Sequence, residues 1–266
     1  MKEINKDEID ITTRLPGLMY LDGTFTNNVQ NAFQDKVGVD SSVLTSVAFG
    51  RAVFTANFFI SLNSYEEQTL AKHEIKNLFG QRSLIRIRTS ESPYRCYYVR
   101  PGVFTLSSIA PGNNDMQFSI PFDVPSGFAY SLKRSDEITE DEMDFGMNDV
   151  VDLGSFKSTA NTFTINNLSS IAIDPYFQKH DLNIAINSDG PITITNKTNN
   201  TSWSYKSDIA FSDSLLIRGI VTYRNGVVDT MNTDFGFIKL EKGLNEILVT
   251  GSNNHSITFS FPFIYL

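Results

Sequence analysis

Cysteine is almost absent from the sequence. Cys96 is the only cysteine in 266 residues, so a framework of intrachain disulfides is excluded and folding in a reducing compartment is indicated. Cys96 lies within an alternating strand pattern and has no histidine near it in the sequence. We therefore interpret it as a structural residue rather than a catalytic thiol.

Long hydrophobic runs are also missing. Met1 to Asp10 mixes lysine with acidic residues and has no apolar core, which predicts that no secretory signal is present. No apolar stretch approaches the length that crosses a bilayer, and this predicts no membrane insertion.

Motifs that carry enzymatic chemistry are not found. The three histidines, His73, His180 and His255, are scattered, and no zinc, nucleotide or nucleophile motif surrounds them. We expect a protein that is not an enzyme and that has no cofactor and no metal.

Basic residues are missing from one acidic stretch. Between residues 136 and 152 the sequence has eight acids and no base: Asp136, Glu137, Glu140, Asp141, Glu142, Asp144, Asp149 and Asp152. The spacing does not fit a calcium loop, and charge blocks of this kind are usually solvated linkers. We predict an N-terminal domain over residues 1–135, an acidic linker over 136–153 and a C-terminal domain over 154–266.

One stretch, Ala52 to Gly80, organises the N-terminal half. Residues 54–62 alternate between apolar and polar, as expected for a half-buried strand. Ser64 and Glu67 then form a predicted capping box for a helix over Tyr65 to Phe79, ended by Gly80. Its predicted apolar stripe consists of Leu70, Ala71, Ile75, Leu78 and Phe79, and its polar side includes Gln68, Lys72 and His73.

Strands are predicted on both sides of this stretch. Residues 42–49, 83–88, 95–100, 103–109 and 116–122 read as strands, and residues 2–40 as an extended N-terminal arm. Arginines cluster around one turn: Arg82, Arg86, Arg88, Arg95 and Arg100. They suit either a nucleic-acid contact or pairing with acids of the same or a neighbouring subunit, and the acidic chain favours pairing.

The C-terminal half is predicted to consist of strands and turns without a helix. Strand patterns recur every 8–12 residues, separated by turn sequences such as Asn225-Gly226, which is typical of an antiparallel sandwich or jelly roll. Trp203 and Tyr205 are candidates for a sugar or partner contact, although aromatics at alternating positions are more often core residues. The fold class is therefore mainly β: an N-terminal α+β domain with one helix and a C-terminal β-sandwich.

The order of several segments resembles the siphophage distal tail proteins (Dit). In the first half these are residues 49–51 with the following strand and helix, 97–102, 118–122 and 125–130. In the second half they are residues 163–167, 192–198, 225–226, 240–245 and 259–266. The chain departs from the family in its acidic linker and in residues 171–180, where the link to the first sandwich strand is longer.

The resemblance implies a structural role at a tail tip. Distal tail proteins form a hexameric ring from their N-terminal domains, and a galectin-like sandwich projects outward. The implied partners are five further copies, the major tail tube protein, a trimeric tail-associated protein (tail fibre or lysin) and, in some members, receptor-binding or accessory baseplate proteins. The tape measure protein and then DNA pass through the ring without specific nucleic-acid binding. We expect Arg86, Arg88, Arg95 and Arg100 to be candidate ring-interface residues.

The resemblance also implies a location in the virion, at the tail tip or baseplate, after assembly in the cytoplasm of the bacterial host. An alternative function is a carbohydrate-binding jelly-roll module that adheres directly to the host surface.

Overall fold

The computed structural model describes residues 2–3, 8–38, 40–142, 153–252 and 254–266. The chain forms two compact units, one of Met1–Ala129 with Leu266 and one of Tyr130–Tyr265. Both are built mainly from antiparallel strands, so the predicted mainly β fold class is confirmed. The domain limits at residues 135 and 154 stay a prediction. Within the predicted linker Glu140–Glu142 form a short 3-10 turn, and residues 143–152 lie outside the described part.

The first unit contains a short helix, a long helix and eight strands. These are β1 Lys2–Glu3, α1 Ile11–Arg14, β2 Leu18–Thr26, β3 Val29–Asp35, β4 Ser42–Phe49, β5 Ala52–Ile60, α2 Tyr65–Phe79, β6 Ile85–Ile87, β7 Arg95–Pro101 and β8 Met116–Val124. Six of the strands lie side by side in the order β1, β6, β7, β8, β5, β2. The other two, β3 and β4, pair with each other as a separate hairpin.

Strand β5 lies between β2 and β8 in the main sheet and is half-buried, as its alternating sequence predicts. Every second residue from Ala52 to Ile60 is buried, and the strand pairs along its length with β2 and β8. Phe58 stacks on Phe118 across the β5–β8 pair, with ring centroids 5.5 Å apart. Phe79, at the end of α2, contacts both Phe58 and Phe122, so the helix packs on this aromatic face of the sheet.

The prediction of an extended arm over residues 2–40 is wrong, because this region contains α1, β2 and β3. Asp22-Gly23, read from the sequence as a turn, lies inside β2 opposite Asn57 and Ala56. A Cβ atom at Gly23 would lie 2.4 Å from the Phe54 ring, so the glycine makes room for an aromatic side chain instead of turning the chain. The strand predicted over residues 103–109 is also wrong, since only an isolated bridge from Ser108 to Met116 forms there.

The predicted helix is confirmed with its bounds, although its cap differs in one contact. The Ser64 hydroxyl accepts a hydrogen bond from the Glu67 N–H at 3.2 Å. The Glu67 carboxylate accepts from the N–H of Asn63 at 2.8 Å, one residue before the residue that a capping box predicts. Gly80 ends the helix with φ of −76°, so it does not use the left-handed conformation of a C′ glycine.

Two residues of α2 are on the opposite side from the one predicted. Leu70 is 65% exposed, whereas Gln68 is only 3% exposed. The Gln68 amide donates to the Ser108 hydroxyl and to the Asn114 carbonyl, each at 2.9 Å. These two hydrogen bonds satisfy the buried amide and explain why a polar residue takes a core position.

The second unit is a sandwich of two antiparallel sheets, which confirms the predicted architecture. Its strands are β9 Ala129–Arg134, β10 Lys157–Ser158, β11 Thr162–Asn167, β12 Asn183–Ser188, β13 Ile192–Asn196, β14 Thr201–Tyr205, β15 Leu215–Arg218, β16 Val221–Arg224, β17 Val227–Val228, β18 Gly243–Thr250, β19 His255–Ser260 and β20 Pro262–Tyr265. One sheet has the order β10-β19-β12-β15-β16-β17 and the other β11-β18-β13-β14, while β9 pairs with β20. Residues 235–240 have a strand-like pattern in the sequence, but they form only an isolated bridge from Leu240 to Ile173.

The buried side of α2 generates a prediction about stability. Leu78 is 8% exposed, so Leu78→Asp should destabilise the first unit by about 3–5 kcal/mol, because it creates a cavity and buries an unpaired charge. Leu70→Asp, the same substitution two turns earlier on the exposed side, should change stability by less than about 0.5 kcal/mol. Thermal unfolding measures both variants, and equal melting shifts would contradict the packing of α2 described here.

Candidate functional site

The hairpin of β3 and β4 exposes an unusual amount of apolar side chain. Every residue in both strands is exposed. The large apolar residues among them are exposed by 37–62%: Val29, Phe33, Val43, Leu44, Val47 and Phe49. A contiguous apolar surface of this kind on a folded protein usually marks an interaction site.

The register of the hairpin places most of these side chains on one face. Directly opposed residues of two antiparallel strands share a face, and the opposed pairs Val29–Phe49, Asn31–Val47 and Phe33–Leu44 alternate with Gln30–Ala48, Ala32–Ser46 and Gln34–Val43. The first set forms a face that is apolar apart from Asn31, and it is followed on the same face by Asp35 and Ser42 at the tip. The second set consists of small and uncharged polar residues and Val43. The register shift between Ala32 and Phe33 adds one residue to β4, which keeps Leu44 on the apolar face.

The base of the apolar face is anchored within the same unit. The Phe49 ring meets the buried Phe128 ring edge to face, with centroids 5.4 Å apart. Phe33, nearer the tip, is 62% exposed and makes no aromatic contact among the described residues. The apolar face therefore extends from the core of the unit into solvent.

Two of the four predicted interface arginines share one carboxylate. Arg86 donates to Glu8 at 3.1 Å, and Arg88 donates both to the other Glu8 oxygen and to the Pro93 carbonyl, the latter at 3.0 Å. Partial burial acts to raise the pKa of Glu8, but the hydrogen bond from Arg88 and the charges of Arg88 and Arg86 outweigh it, so the pKa lies below its usual value.

The other two predicted arginines lie elsewhere on the β6–β7 pair. Arg100 is exposed at the end of β7 and donates to the backbone carbonyl of Arg82. Arg95 is half-buried at the start of β7. The structure thus gathers Arg86 and Arg88 on Glu8 and keeps Arg95 and Arg100 apart from that site in the contacts described. Their part in a ring interface stays a prediction.

The prediction of a sugar or partner contact through Trp203 and Tyr205 is wrong, because both side chains are only 1% exposed. The Trp203 indole N–H donates to the Thr222 hydroxyl at 3.2 Å and so joins the two sheets of the sandwich, while the Tyr205 hydroxyl donates to Asp229. An alternating pattern identifies two faces of a strand, but it does not show which of them faces the partner sheet.

Cys96 is fully buried, and burial raises the pKa of its thiol to about 11. Its thiolate is therefore scarce at neutral pH, which agrees with a structural residue.

Among the described residues no three acidic, histidine or cysteine side chains group closely enough to hold a metal ion. No helix in the described ranges is long and apolar enough to cross a membrane.

The exposed hairpin lies within a recognised domain. Residues 5–124 match the family model described as phage tail protein RIFT-related domain, which includes the whole hairpin of β3 and β4. No curated protein matches the sequence.

The fold of the chain is similar to that of a solved phage protein. The solved structure of the SPP1 Dit (gp 19.1) protein, described as a paradigm of the hub adsorption apparatus in phages that infect Gram-positive bacteria, is 11% identical. The match covers 92% of this chain and 93% of that chain with a TM-score of 0.70. The phage p2 baseplate in its activated conformation with Sr is 13% identical over 92% of this chain and 90% of that chain, with a TM-score of 0.45. The fold that the resemblance implies is thus confirmed.

The Glu8 site generates a prediction about pH. Because the folded pKa of Glu8 is lowered, its contribution to stability is present above about pH 4.5 and is lost as the pH falls through the folded pKa. Glu8→Gln should therefore lower the melting temperature at pH 7 by about 2–4 °C, and the difference should be smaller at pH 3. Glu74→Gln, which removes the same charge at an exposed position of α2, serves as the control and should lower the melting temperature at pH 7 by less than Glu8→Gln does. A Glu8→Gln deficit that is the same at both pH values would contradict the ion-pair account.

Proposed function

We propose that this protein is the structural distal tail protein of a siphophage or related prophage, and that it forms a hexameric baseplate hub. The hub joins the tail tube to the trimeric tail-associated protein and to receptor-binding or accessory baseplate proteins, and it leaves a channel for the tape measure and DNA. The observation that carries the proposal is the exposed apolar hairpin of β3 and β4 on a phage tail domain.

The hairpin supports assembly because it lacks a cover of its own. An isolated two-stranded hairpin is at best marginally stable in water, and three strands or packing against another element are needed to stabilise it. Both strands of this hairpin are exposed along their whole length, and among the described residues they pair only with each other. A neighbouring copy of the chain that covers Phe33, Leu44 and Val47 would supply the missing packing.

A ring forms if the apolar face of each hairpin is covered by a different surface of the neighbouring copy. Such a heterologous contact repeats from copy to copy and closes into a ring when the rotation permits. The number six comes from the resemblance to distal tail proteins. The SPP1 Dit protein, described as part of a hub adsorption apparatus, supports the placement of such a ring at the tip of the virion tail.

The charges of the first unit suit a channel that does not hold DNA. Strands β2, β5 and β8 contain no lysine or arginine, and Asn57 on the solvent-facing side of this sheet bonds to Asp22 and Ser119. The nearest arginine in sequence, Arg51, pairs with Asp123 at 3.5 Å. These three strands therefore offer the phosphate backbone no cation from which to release counterions, and counterion release is the main source of nonspecific DNA affinity.

The hairpin generates a prediction about assembly. Phe33→Asp should abolish the ring at micromolar concentration, because six copies of an unpaired carboxylate would be buried in the interfaces. Gln34→Asp is the matched control, since it adds the same charge at the adjacent residue but on the opposite face. Native mass spectrometry measures the stoichiometry, and thermal unfolding of both variants should show that the monomer fold is kept. A ring that survives Phe33→Asp with unchanged stability would refute the proposed interface.

The arginines generate a prediction about DNA. Since Glu8 pairs with both Arg86 and Arg88 and the chain carries a net charge of −8, the intact protein should show no detectable binding to double-stranded DNA at physiological salt. Fluorescence anisotropy with a labelled duplex tests this over a range of salt concentrations. Tight, salt-sensitive binding that disappears on combining Arg86→Ala with Arg88→Ala would make the β6–β7 hairpin a DNA contact and would contradict the proposal.

A further inference from the structure

Three aromatic rings gather on the surface of the sandwich, at a position that the sequence patterns did not single out. Tyr176 stacks on Phe237 with centroids 4.9 Å apart and an angle of 13°, and Phe177 stands edge-on to both. Tyr176 is 50% exposed and Phe177 72% exposed. We call Tyr176, Phe177 and Phe237 the aromatic cluster. Two of its members lie in residues 171–180, where the sequence departs from the distal tail proteins.

The loop that carries Tyr176 and Phe177 is fixed by one buried carboxylate. Asp174 is 7% exposed, and one of its oxygens accepts from the N–H groups of Tyr176 and Phe177 at 2.9 and 2.8 Å. The Asp174 carbonyl accepts from the His180 N–H at 3.0 Å, and Ile173 pairs with Leu240 through two backbone hydrogen bonds. The two rings are therefore presented to solvent on a loop that is tied down at both ends.

The segment that carries Phe237 is fixed as well, and it adds a row of polar groups. Ile238 and Leu240 are buried, so Phe237, Lys239 and Glu241 lie on the outward side. The Lys239 carbonyl accepts from Asn196 at 2.7 Å and from Asn199 at 2.9 Å. Lys239 pairs with Glu241 at 2.8 Å, so this row carries donors and acceptors but no net charge.

The size of the cluster favours a small ligand over a protein partner. An aromatic side chain covers roughly 150–250 Å² when it is fully buried, so the exposed parts of Tyr176 and Phe177 offer about 250 Å². A stable protein interface needs about 800 Å² on each partner. The cluster is therefore large enough for one or two sugar rings and is small for a protein contact.

We propose that the aromatic cluster, with the Tyr176 hydroxyl and the Lys239–Glu241 pair, is a binding site for a neutral saccharide. A pyranose ring has a face of C–H bonds that packs on the electron-rich face of an aromatic ring, and hydroxyls around its edge that need hydrogen-bond partners. No described residue bonds to the Tyr176 hydroxyl, so this group is available to a ligand. The absence of net charge matches an uncharged sugar.

Saturation-transfer NMR and isothermal titration of the full chain against a panel of neutral mono- and disaccharides test the proposal. We expect at least one member to bind with a Kd on the order of 1 mM. Combining Tyr176→Ala with Phe177→Ala should weaken that binding at least tenfold. Tyr176→Phe keeps the ring and removes the hydroxyl, so it should weaken binding by about two- to tenfold.

Phe211→Ala is the matched control, because Phe211 is 40% exposed and its backbone bonds to Asn187 and Asp189, at the other end of β12 from the aromatic cluster. It should leave the affinity unchanged. The proposal is overturned if no member of the panel binds, if the double alanine variant binds as well as the unaltered chain, or if the cluster proves to hold another tail protein and no sugar. The test of saccharide binding does not depend on the hub proposal, because binding is measured whether or not the chain forms a ring. Ring formation is measured separately by native mass spectrometry.

Discussion

A two-stranded hairpin cannot bury its own apolar face, and this constraint links the fold of the chain to its function. Residues along β3 and β4 are exposed throughout, with Val29, Phe33, Leu44, Val47 and Phe49 on a single face. Phe49 attaches the base of this face to the core, and the remainder is exposed. The rest of the unit, an aromatic sheet closed by α2, provides a rigid base from which the hairpin extends. Assembly with further copies is the simplest way to complete the packing.

The sequence predicted the parts of the fold where one period dominates. Residue spacing identified the strand that ends at Ile60, the helix with its Ser64 cap and the alternating strands of the sandwich. Prediction from the sequence failed where a tertiary contact overrides the local signal. Gly23 resembles a turn residue, but it lies within a strand because the Phe54 ring occupies the space beside it. Gln68 resembles a surface residue, but Ser108 and Asn114, distant in sequence, satisfy its amide in the core.

The same contrast between local patterns and tertiary contacts applies to the candidate sites. The arginine cluster was visible in the sequence, whereas its partner Glu8 lies 78 residues from Arg86 and could not be identified by spacing. Trp203 drew attention as the only tryptophan, yet a sandwich strand hides one of its two faces, and Trp203 is on the hidden one. The exposed rings of Tyr176 and Phe177 occupy a loop with no periodic pattern, and the Asp-Pro sequence that begins this loop was the one signal of an ordered turn.

The central claim is that the chain assembles through its N-terminal unit into a closed ring of six. Native mass spectrometry of the purified, unaltered protein, combined with electron microscopy of the same sample, tests it most directly. The account predicts a single species with the mass of six chains and ring-shaped particles with an open centre. A protein that stays monomeric at every concentration examined, or that forms open filaments instead of rings, would contradict it.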